Sequence, residues 1–182
     1  FVVVQEAYAT TATCAFADLL LPATTWGEKD GTVTNSERRI SRVNAAIAPS
    51  GDARHDWAIL ADFGQRLEKR LPSRTATYVP EVSTLFPYGS AESVWNEHRE
   101  STRGRDLDIT GLSYAILLDQ GPQQWPMPEG ASQGMARLYA NGRFPTPNGR
   151  AKFAAMHYHP VAEPRSHDYP YSLNTGRLRD QW

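Results

Sequence analysis

The sequence predicts an α/β fold that begins with parallel strands and ends with a β-rich segment. Phe1–Val4 is a short apolar run rich in valine, which predicts a strand buried on both faces of a parallel sheet. Asp18–Pro22 predicts a second strand that stops at a proline, and Thr10–Leu19 between them carries Ala and Leu at helical spacing. This strand, helix, strand order is typical of a βαβ unit. Tyr171–Leu173 predicts a strand that opens the β-rich end.

The elements between these ends follow from spacing and composition. Gly27–Asn35 is rich in Gly, Thr, Asp and Asn and predicts a loop. His55–Leu71 predicts an amphipathic helix, because its large apolar residues recur at spacings of three and four. Asp56 stands at the start of this helix, where a carboxylate suits the helix dipole. Ser90–Arg99 and Ile109–Asp119 predict two shorter helices.

The last third of the chain predicts loops with a few strands. Gly121–Gly134 is rich in Pro, Gln and Gly, as loops are. The pair Asn141-Gly142 between apolar and aromatic neighbours predicts a hairpin, and Ala151–Met156 predicts a strand. Pro160–Pro170 is a proline-rich connector.

Composition argues against several kinds of partner. The formal net charge of −1 gives no bulk attraction to nucleic acid. No apolar run approaches the ~20 residues of a membrane span, so we expect neither nucleic acid nor a membrane as a partner. The single Cys14 rules out an internal disulfide, and we expect it to be a small core residue. Because Phe1 already lies in a strand and Trp182 in an unfinished segment, we expect an internal piece of a longer protein.

Polar residues follow the predicted strands of the first half. Gln5 and Glu6 come just after the first strand, at the edge where open parallel sheets bind ligands. A carboxylate there can accept N–H groups of a guanine, and a solvated turn is the alternative. Lys29 follows the second strand and suits a phosphate as a point charge, but locally a surface lysine without a ligand is the better interpretation. Asp56 suits a helix cap by propensity alone.

A possible ligand loop also follows the last predicted strand. The glycine of Thr175-Gly176-Arg177 lets the backbone approach a ligand, and the guanidinium offers a planar fork for a phosphate or a pterin. A turn with a surface arginine is the alternative.

Two further groups are interpreted as structural. Glu37-Arg38-Arg39 predicts an ion-pair cluster that fixes a loop. His157 and His159 are two residues apart and have no third ligand nearby, so two ordinary polar histidines fit better than a metal site.

The order of these motifs resembles the molybdopterin oxidoreductase family. Gln5–Thr10 and Ala17–Pro22 are followed by Trp26-Gly-Glu-Lys29 and then by Gly31–Arg39. Ordered matches over about fifty residues are more specific than any single motif. Tyr171–Trp182 is most similar to the cytoplasmic assimilatory nitrate reductases. Similarity continues through residues 94–99, 104–109, 123–126, 144–147 and 149–153, so the resemblance covers nearly the whole chain and is weaker at 73–85.

The resemblance implies three regions and a cofactor. Residues 1–72 would end a Rossmann-like parallel-sheet domain that binds the cofactor, 73–165 would be a partly helical connector, and 166–182 would start a β-barrel-type C-terminal domain that binds the molybdopterin dinucleotide. The cofactor would be molybdenum bis-molybdopterin guanine dinucleotide, with a [4Fe–4S] cluster bound outside this chain. The cofactor-binding residues carried over by position are Gln5, Glu6, Lys29, Asp56, Thr175, Gly176, Arg177, Leu178, Arg179, Asp180, Gln181 and Trp182.

The implied activity is the two-electron reduction of nitrate to nitrite in the cytoplasm, with ferredoxin, flavodoxin or an NADH-linked reductase subunit as electron donor. The family's cluster cysteines and molybdenum-ligating cysteine belong upstream, and Cys14 matches none of them. We therefore expect no catalytic residue and no metal ligand here, and no activity from this chain alone. The alternatives are a formate dehydrogenase, a periplasmic nitrate reductase, or an electron-transfer scaffold of the same fold without molybdenum.

Overall fold

A computed structural model describes residues 1–71, 84–174 and 176. The chain forms two compact units, Phe1–Ala136 and Arg137–Trp182. All strands and helices of the described residues lie in the first unit, which confirms a mixed α/β fold. The strands are β1 (Val3–Glu6), β2 (Leu19–Pro22), β3 (Gly31–Thr34), β4 (Arg39–Val43) and β5 (Gln123–Gln124). The α-helices are α1 (Asp56–Arg70), α2 (Ala91–Ser101) and α3 (Tyr114–Asp119).

The predicted parallel pair is present at the start of the chain. β1 and β2 pair in parallel along their whole length. Arg54 adds a third parallel segment through a bridge to Ala23, and its N–H donates to the Pro22 carbonyl at 3.1 Å. Helix α1 starts at Asp56, directly after this segment. The carboxyl ends of all three segments therefore lie at one edge of the sheet.

The connection between β1 and β2 is a 3₁₀ helix, Ala12–Phe16, instead of the longer helix predicted over Thr10–Leu19. Three threonines lie in the first half of the predicted segment, and they explain the shortening because β-branched residues weaken α-helices. Cys14 lies on this turn and is half-buried, with its sulfur 3.0 Å from the Thr11 hydroxyl, so the expectation of a core position is wrong.

The predicted burial of the first strand on both faces is also wrong for this chain. The exposed fractions of Phe1 and Val3 are 94% and 51%, and that of Leu19 on β2 is 44%. Parallel strands are apolar on both faces because helices normally cover both. The described residues leave these side chains open.

A second, antiparallel sheet with strand order β3, β4, β5 takes β3 and the two residues of β5 from segments predicted as loops, 27–35 and 121–134, and the rest of 121–134 is irregular as predicted. The β-branched run Thr32–Thr34 forms β3 despite its Gly, Asp and Asn neighbours. The side-chain oxygen of Asn35 accepts the N–H groups of Glu37 and Arg39 at 3.0 and 2.9 Å and closes the hairpin. Arg38 occupies the left-handed region at φ 67° in this turn.

The helices predicted at 55–71 and 90–99 are confirmed as α1 and α2. Ser90 caps α2 by accepting the N–H of Ser93 at 3.1 Å. The helix expected over 109–119 shortens to α3, because Ser113 caps it at its start and accepts the N–H of Ile116 at 3.2 Å.

The main core lies between the second sheet and the helices α2 and α3, which contact β3 and β4. Its buried members are Ile40, Trp95, Ile109, Leu112, Tyr114, Leu117 and Met127. On α1, by contrast, Leu60 and Phe63 are each 63% exposed, while Ile59 and Ala61 are buried. The amphipathic pattern of α1 is real, but part of its apolar stripe faces outward.

The second unit has no strand among its described residues, 137–174 and 176. The expected hairpin at Asn141-Gly142 is a turn in which the Gly142 N–H donates to the Tyr139 carbonyl at 2.9 Å. The strands predicted at 151–156 and 171–173 are not formed, and Phe153 is 93% exposed. A strand needs a partner for its backbone groups, which periodicity alone does not supply. None of the helices described has both the length and the apolar content that a membrane crossing needs.

Candidate functional site

Three of the residues predicted to bind a ligand meet at the carboxyl edge of the parallel sheet. Gln5 Nε2 donates to Asp56 Oδ1 at 2.6 Å, and Lys29 Nζ lies 2.7 Å from Asp56 Oδ2. Gln5 lies near the end of β1, Lys29 follows β2 after a short turn, and Asp56 opens α1. They converge because the parallel segments before them end at the same edge. We call them the Gln5–Lys29–Asp56 cluster.

The cluster holds Asp56 in its ionised form. Partial burial favours the neutral acid, but the hydrogen bonds from Lys29 and Gln5 and the charge of Lys29 outweigh it and lower the pKa of Asp56. The N-terminus of α1 also favours an anion at this position. The Asp56 side chain remains 47% exposed, so the charge is open to a ligand. Each carboxylate oxygen can accept a second hydrogen bond beside the one it has.

Glu6 lies beside the cluster but turns to its own loop. One carboxylate oxygen accepts the N–H groups of Ala7 and Tyr8 at 2.7 and 3.3 Å. The structure thus places Glu6 at the predicted edge and gives it the role of ordering the turn after β1.

A cleft of about 450 Å³ opens where β1 and β2 end. Its walls include the aromatic side chains of Tyr8 and Trp26, which are 64% and 65% exposed, and the Lys29 side chain. The Lys29 ammonium lies 5.8 Å from the centre of the Trp26 ring, within cation–π range. The other lining residues are Ala7, Thr24, Thr25 and Gly27. In open parallel sheets, ligands bind outside the carboxyl ends of the strands. This cleft lies at that position.

Sequence reasoning missed two buried polar residues, Thr24 in the wall of the cleft and Glu28 between two other wall residues. Glu28 is 6% exposed, and its carboxylate accepts the N–H of Thr25 at 2.7 Å and the N–H of Ser50 at 2.8 Å. Thr24 is 1% exposed, with its hydroxyl 3.0 Å from His55 Nδ1. The spacing of Thr25 and Glu28 is that of a capping box and was the available signal for Glu28. Nothing in the sequence pairs Thr24 with His55.

The expectation of an ion-pair cluster at residues 37–39 is confirmed in part. Arg39 pairs with Glu37 at 3.6 Å. Arg38 instead donates to the backbone carbonyls of Trp125, Met135 and Ala136, and its guanidinium carbon lies 5.3 Å from the centre of the Trp125 ring. Arg38 therefore fastens the loop after β5 to the hairpin.

The remaining predicted site residues belong to the second unit. Thr175 and the run from Arg177 to Trp182 lie outside the described residues. Gly176 is described and exposed. His157 and His159 are exposed, and no group of three possible metal ligands occurs among the residues whose positions are described.

Comparison with known proteins finds a family match for the first part of the chain. Residues 1–66, which contain the cluster and the cleft, match the model of the molybdopterin oxidoreductase family. The chain is 38% identical over its whole length to a nitrate reductase of Synechocystis, and 37% identical over 99% of its length to an assimilatory nitrate reductase of Haloferax mediterranei. It is 35% identical over 98% of its length to the F420-dependent formate dehydrogenase subunit alpha of Methanocaldococcus jannaschii. Each alignment covers 24% of the relative, so the chain spans about a quarter of the length of these proteins. The family match over the residues that build the cleft, with relatives aligned along the whole chain, identifies residues 1–66 as part of a molybdopterin oxidoreductase domain.

Proposed function

We propose that this chain forms one wall of the guanine dinucleotide site in a molybdenum enzyme that reduces nitrate to nitrite. The observation that carries the proposal is the Gln5–Lys29–Asp56 cluster, which sits beside an open cleft within the family-matched residues. The proposed cofactor is molybdenum bis-molybdopterin guanine dinucleotide, and a [4Fe–4S] cluster would be bound outside this chain.

The chemistry of these residues fits a guanine nucleotide. Guanine presents N–H donors on one edge, and the ionised, half-exposed carboxylate of Asp56 is an acceptor for them. Lys29 supplies a cation at the same edge, and a strongly hydrated ammonium suits a phosphate oxygen. The exposed rings of Tyr8 and Trp26 offer flat apolar walls for a planar group.

The cofactor and the protein have separate roles in this proposal. The bound cofactor supplies the electron-transfer chemistry, while the protein supplies binding and orientation. Gln5 and Lys29 orient the Asp56 carboxylate and keep it charged. Glu6 orders the turn that forms one side of the cleft. We assign the loop from Thr175 to Trp182 to the same cofactor on the resemblance of its sequence.

Nitrate is the preferred substrate because two of the relatives above are named nitrate reductases. Formate oxidation is the second candidate, since the formate dehydrogenase subunit is nearly as similar, at 35% identity. We also propose, from the resemblance of the terminal loop to assimilatory nitrate reductases, a cytoplasmic enzyme that takes electrons from ferredoxin, flavodoxin or an NADH-linked reductase subunit.

The test is a metal and nucleotide analysis of the full-length protein, followed by two assays. We expect molybdenum, guanine nucleotide released on acid treatment, and nitrite formed from nitrate with reduced viologen. If the protein oxidises formate and does not reduce nitrate, the proposed substrate becomes formate and the proposed cofactor stays the same. A protein without molybdenum would refute the enzyme proposal and favour a scaffold subunit.

A further inference from the structure

We infer that Glu28 is a positioning residue for Lys29, and that its buried carboxylate fixes the turn that holds the Lys29 ammonium against Asp56. Glu28 would thereby determine how firmly the site retains a guanine nucleotide. This inference rests on the function proposed for the Gln5–Lys29–Asp56 cluster.

The Glu28 carboxylate accepts three hydrogen bonds. Oε2 accepts the N–H of Thr25 at 2.7 Å and the Thr25 hydroxyl at 2.9 Å, and Oε1 accepts the N–H of Ser50 at 2.8 Å. The Thr25 backbone and hydroxyl hydrogen bonds, followed by that of Ser50, lower the pKa of Glu28. A carboxylate only accepts hydrogen bonds, whereas an amide would turn its NH₂ group toward one of these donors.

The turn fixed by Glu28 carries Lys29 at its end. Trp26–Glu28 is a single 3₁₀ turn, closed by the Lys29 N–H donating to the Trp26 carbonyl at 3.3 Å. The Lys29 ammonium then lies between the Trp26 ring, at 5.8 Å, and the Asp56 carboxylate, at 2.7 Å. A shift of this turn would move both the backbone of Lys29 and the ring beneath its ammonium.

Glu28 also ties this turn to the segment that leads to Asp56. Its contact with Ser50 spans the two loops, and the Gly27 carbonyl accepts the N–H groups of Ala46 and Ile47 at 2.8 and 3.1 Å. The loop containing Ser50 runs on to Arg54 and the start of α1. Glu28 therefore joins the two chain segments whose ends carry Lys29 and Asp56.

Asp108 offers a closely matched control. It is 8% exposed and accepts the same set of donors, the N–H and hydroxyl of Thr110 at 2.9 and 2.6 Å and the N–H of Gly104 at 2.7 Å. These contacts stay within a turn at residues 104–110. Asp108→Asn thus imposes the same chemical change on a buried carboxylate whose contacts do not involve the cluster.

The experiment compares four variants of the full-length protein: Glu28→Gln, Lys29→Met, the double variant and Asp108→Asn. Guanine nucleotide retained after exhaustive dialysis is measured per polypeptide, beside the unfolding temperature. We expect Glu28→Gln to weaken retention about tenfold, the scale of disturbing one hydrogen-bonded charge. The double variant should be no weaker than Lys29→Met, because Glu28 acts through Lys29. Asp108→Asn should lower the unfolding temperature and keep the nucleotide.

The outcomes separate the two levels of the proposal. Wild-type retention in Lys29→Met would overturn the function proposed for the cluster. Loss in Lys29→Met with full retention in Glu28→Gln, or with additive losses in the double variant, would overturn the role of Glu28 alone. If Glu28→Gln does not fold, Thr25→Val removes the hydroxyl that donates to Glu28 at 2.9 Å, and Thr110→Val, which removes the hydroxyl that donates to Asp108, is its control. Reduced retention in Thr25→Val but not in Thr110→Val, with no further loss when Thr25→Val is added to Lys29→Met, supports the inference, and equal retention in the two threonine variants contradicts it.

Discussion

The Lys29 ammonium lies 2.7 Å from one carboxylate oxygen of Asp56, although Lys29 follows β2 and Asp56 opens α1 after a different parallel segment. Gln5 occupies the other oxygen from the end of β1. The carboxylate is therefore oriented from two sides and kept charged while nearly half of its side chain stays exposed. A charged acceptor held in place before a ligand arrives binds with less loss of side-chain entropy.

The ion pair predicts a change in the titration of Asp56. Partial burial raises its pKa, but hydrogen bonds from Lys29 and Gln5 and the Lys29 charge bring the net value below the ordinary 3.8. The pair therefore stabilises the fold above about pH 4, and the contribution is lost as pH falls through the depressed pKa. Lys29→Met should raise the pKa of Asp56, as followed by carbon NMR of its carboxyl group.

The free energies of unfolding of the wild type and of Lys29→Met should differ most near neutral pH and converge in acid. Lys69→Met, in the last turn of the same helix, is the control and should leave the pKa of Asp56 where it is. An unchanged Asp56 titration in Lys29→Met would contradict the pairing.

Arg38 predicts a difference between arginine and lysine at one position. Its guanidinium reaches the Met135 carbonyl at 3.2 Å and the Ala136 carbonyl at 2.9 Å, and it packs on Trp125. A lysine cannot reproduce this planar fork, so Arg38→Lys should cost roughly 1–3 kcal/mol in the free energy of unfolding. Arg66→Lys should cost less than about 0.5 kcal/mol, because Arg66 pairs at the surface with Asp62. Equal urea midpoints for the two variants would count against the fastening role of Arg38.

Gly111 predicts a steric limit near the main core. A Cβ at this residue would meet the backbone carbonyl oxygens of Pro128 and Met127, the latter at 2.8 Å. Backbone cannot move aside cheaply, so Gly111→Ala should cost about 1–3 kcal/mol. At Gly89 a Cβ meets open space, and Gly89→Ala should be neutral or stabilising by up to ~1 kcal/mol. Thermal unfolding of both variants is the measurement, and a stable Gly111→Ala would mean that the two loops lie further apart.

The position of the Gln5–Lys29–Asp56 cluster follows largely from the order of the elements along the chain. The sequence predicted two strands, at residues 1–4 and 18–22, and then helix α1, in the order that the structure shows. Parallel segments bring the residues at their ends together. Locally, a surface position was the better interpretation of Lys29. Its selection came from the ordered family motifs, and the structure then pairs it with Asp56.

The rest depended on contacts that spacing does not encode. Glu28 is buried because Ser50 reaches it from another loop. The β3–β4 hairpin was hidden because its few β-branched residues stand between turn-forming ones. The strand expected at residues 151–156 had the right composition but found no partner among the described residues of its unit.

The most direct test compares two acids of the same helix. Asp56 pairs with Lys29, and Asp62 pairs with Arg54 and Arg66 at 2.9 and 2.8 Å. Hydrogen bonds lower the pKa of Asp62 too, with that from Arg66 contributing most. Asp56→Ala and Asp62→Ala therefore each remove an ion-paired carboxylate from α1, but only the first removes the proposed acceptor of the guanine.

The measurement is the guanine nucleotide retained per molecule of full-length protein after gel filtration, with the unfolding temperature beside it. We predict that Asp56→Ala loses most of its nucleotide and Asp62→Ala keeps it, at similar unfolding temperatures. Equal nucleotide content in the two variants would contradict the assignment of this edge of the sheet as a cofactor site.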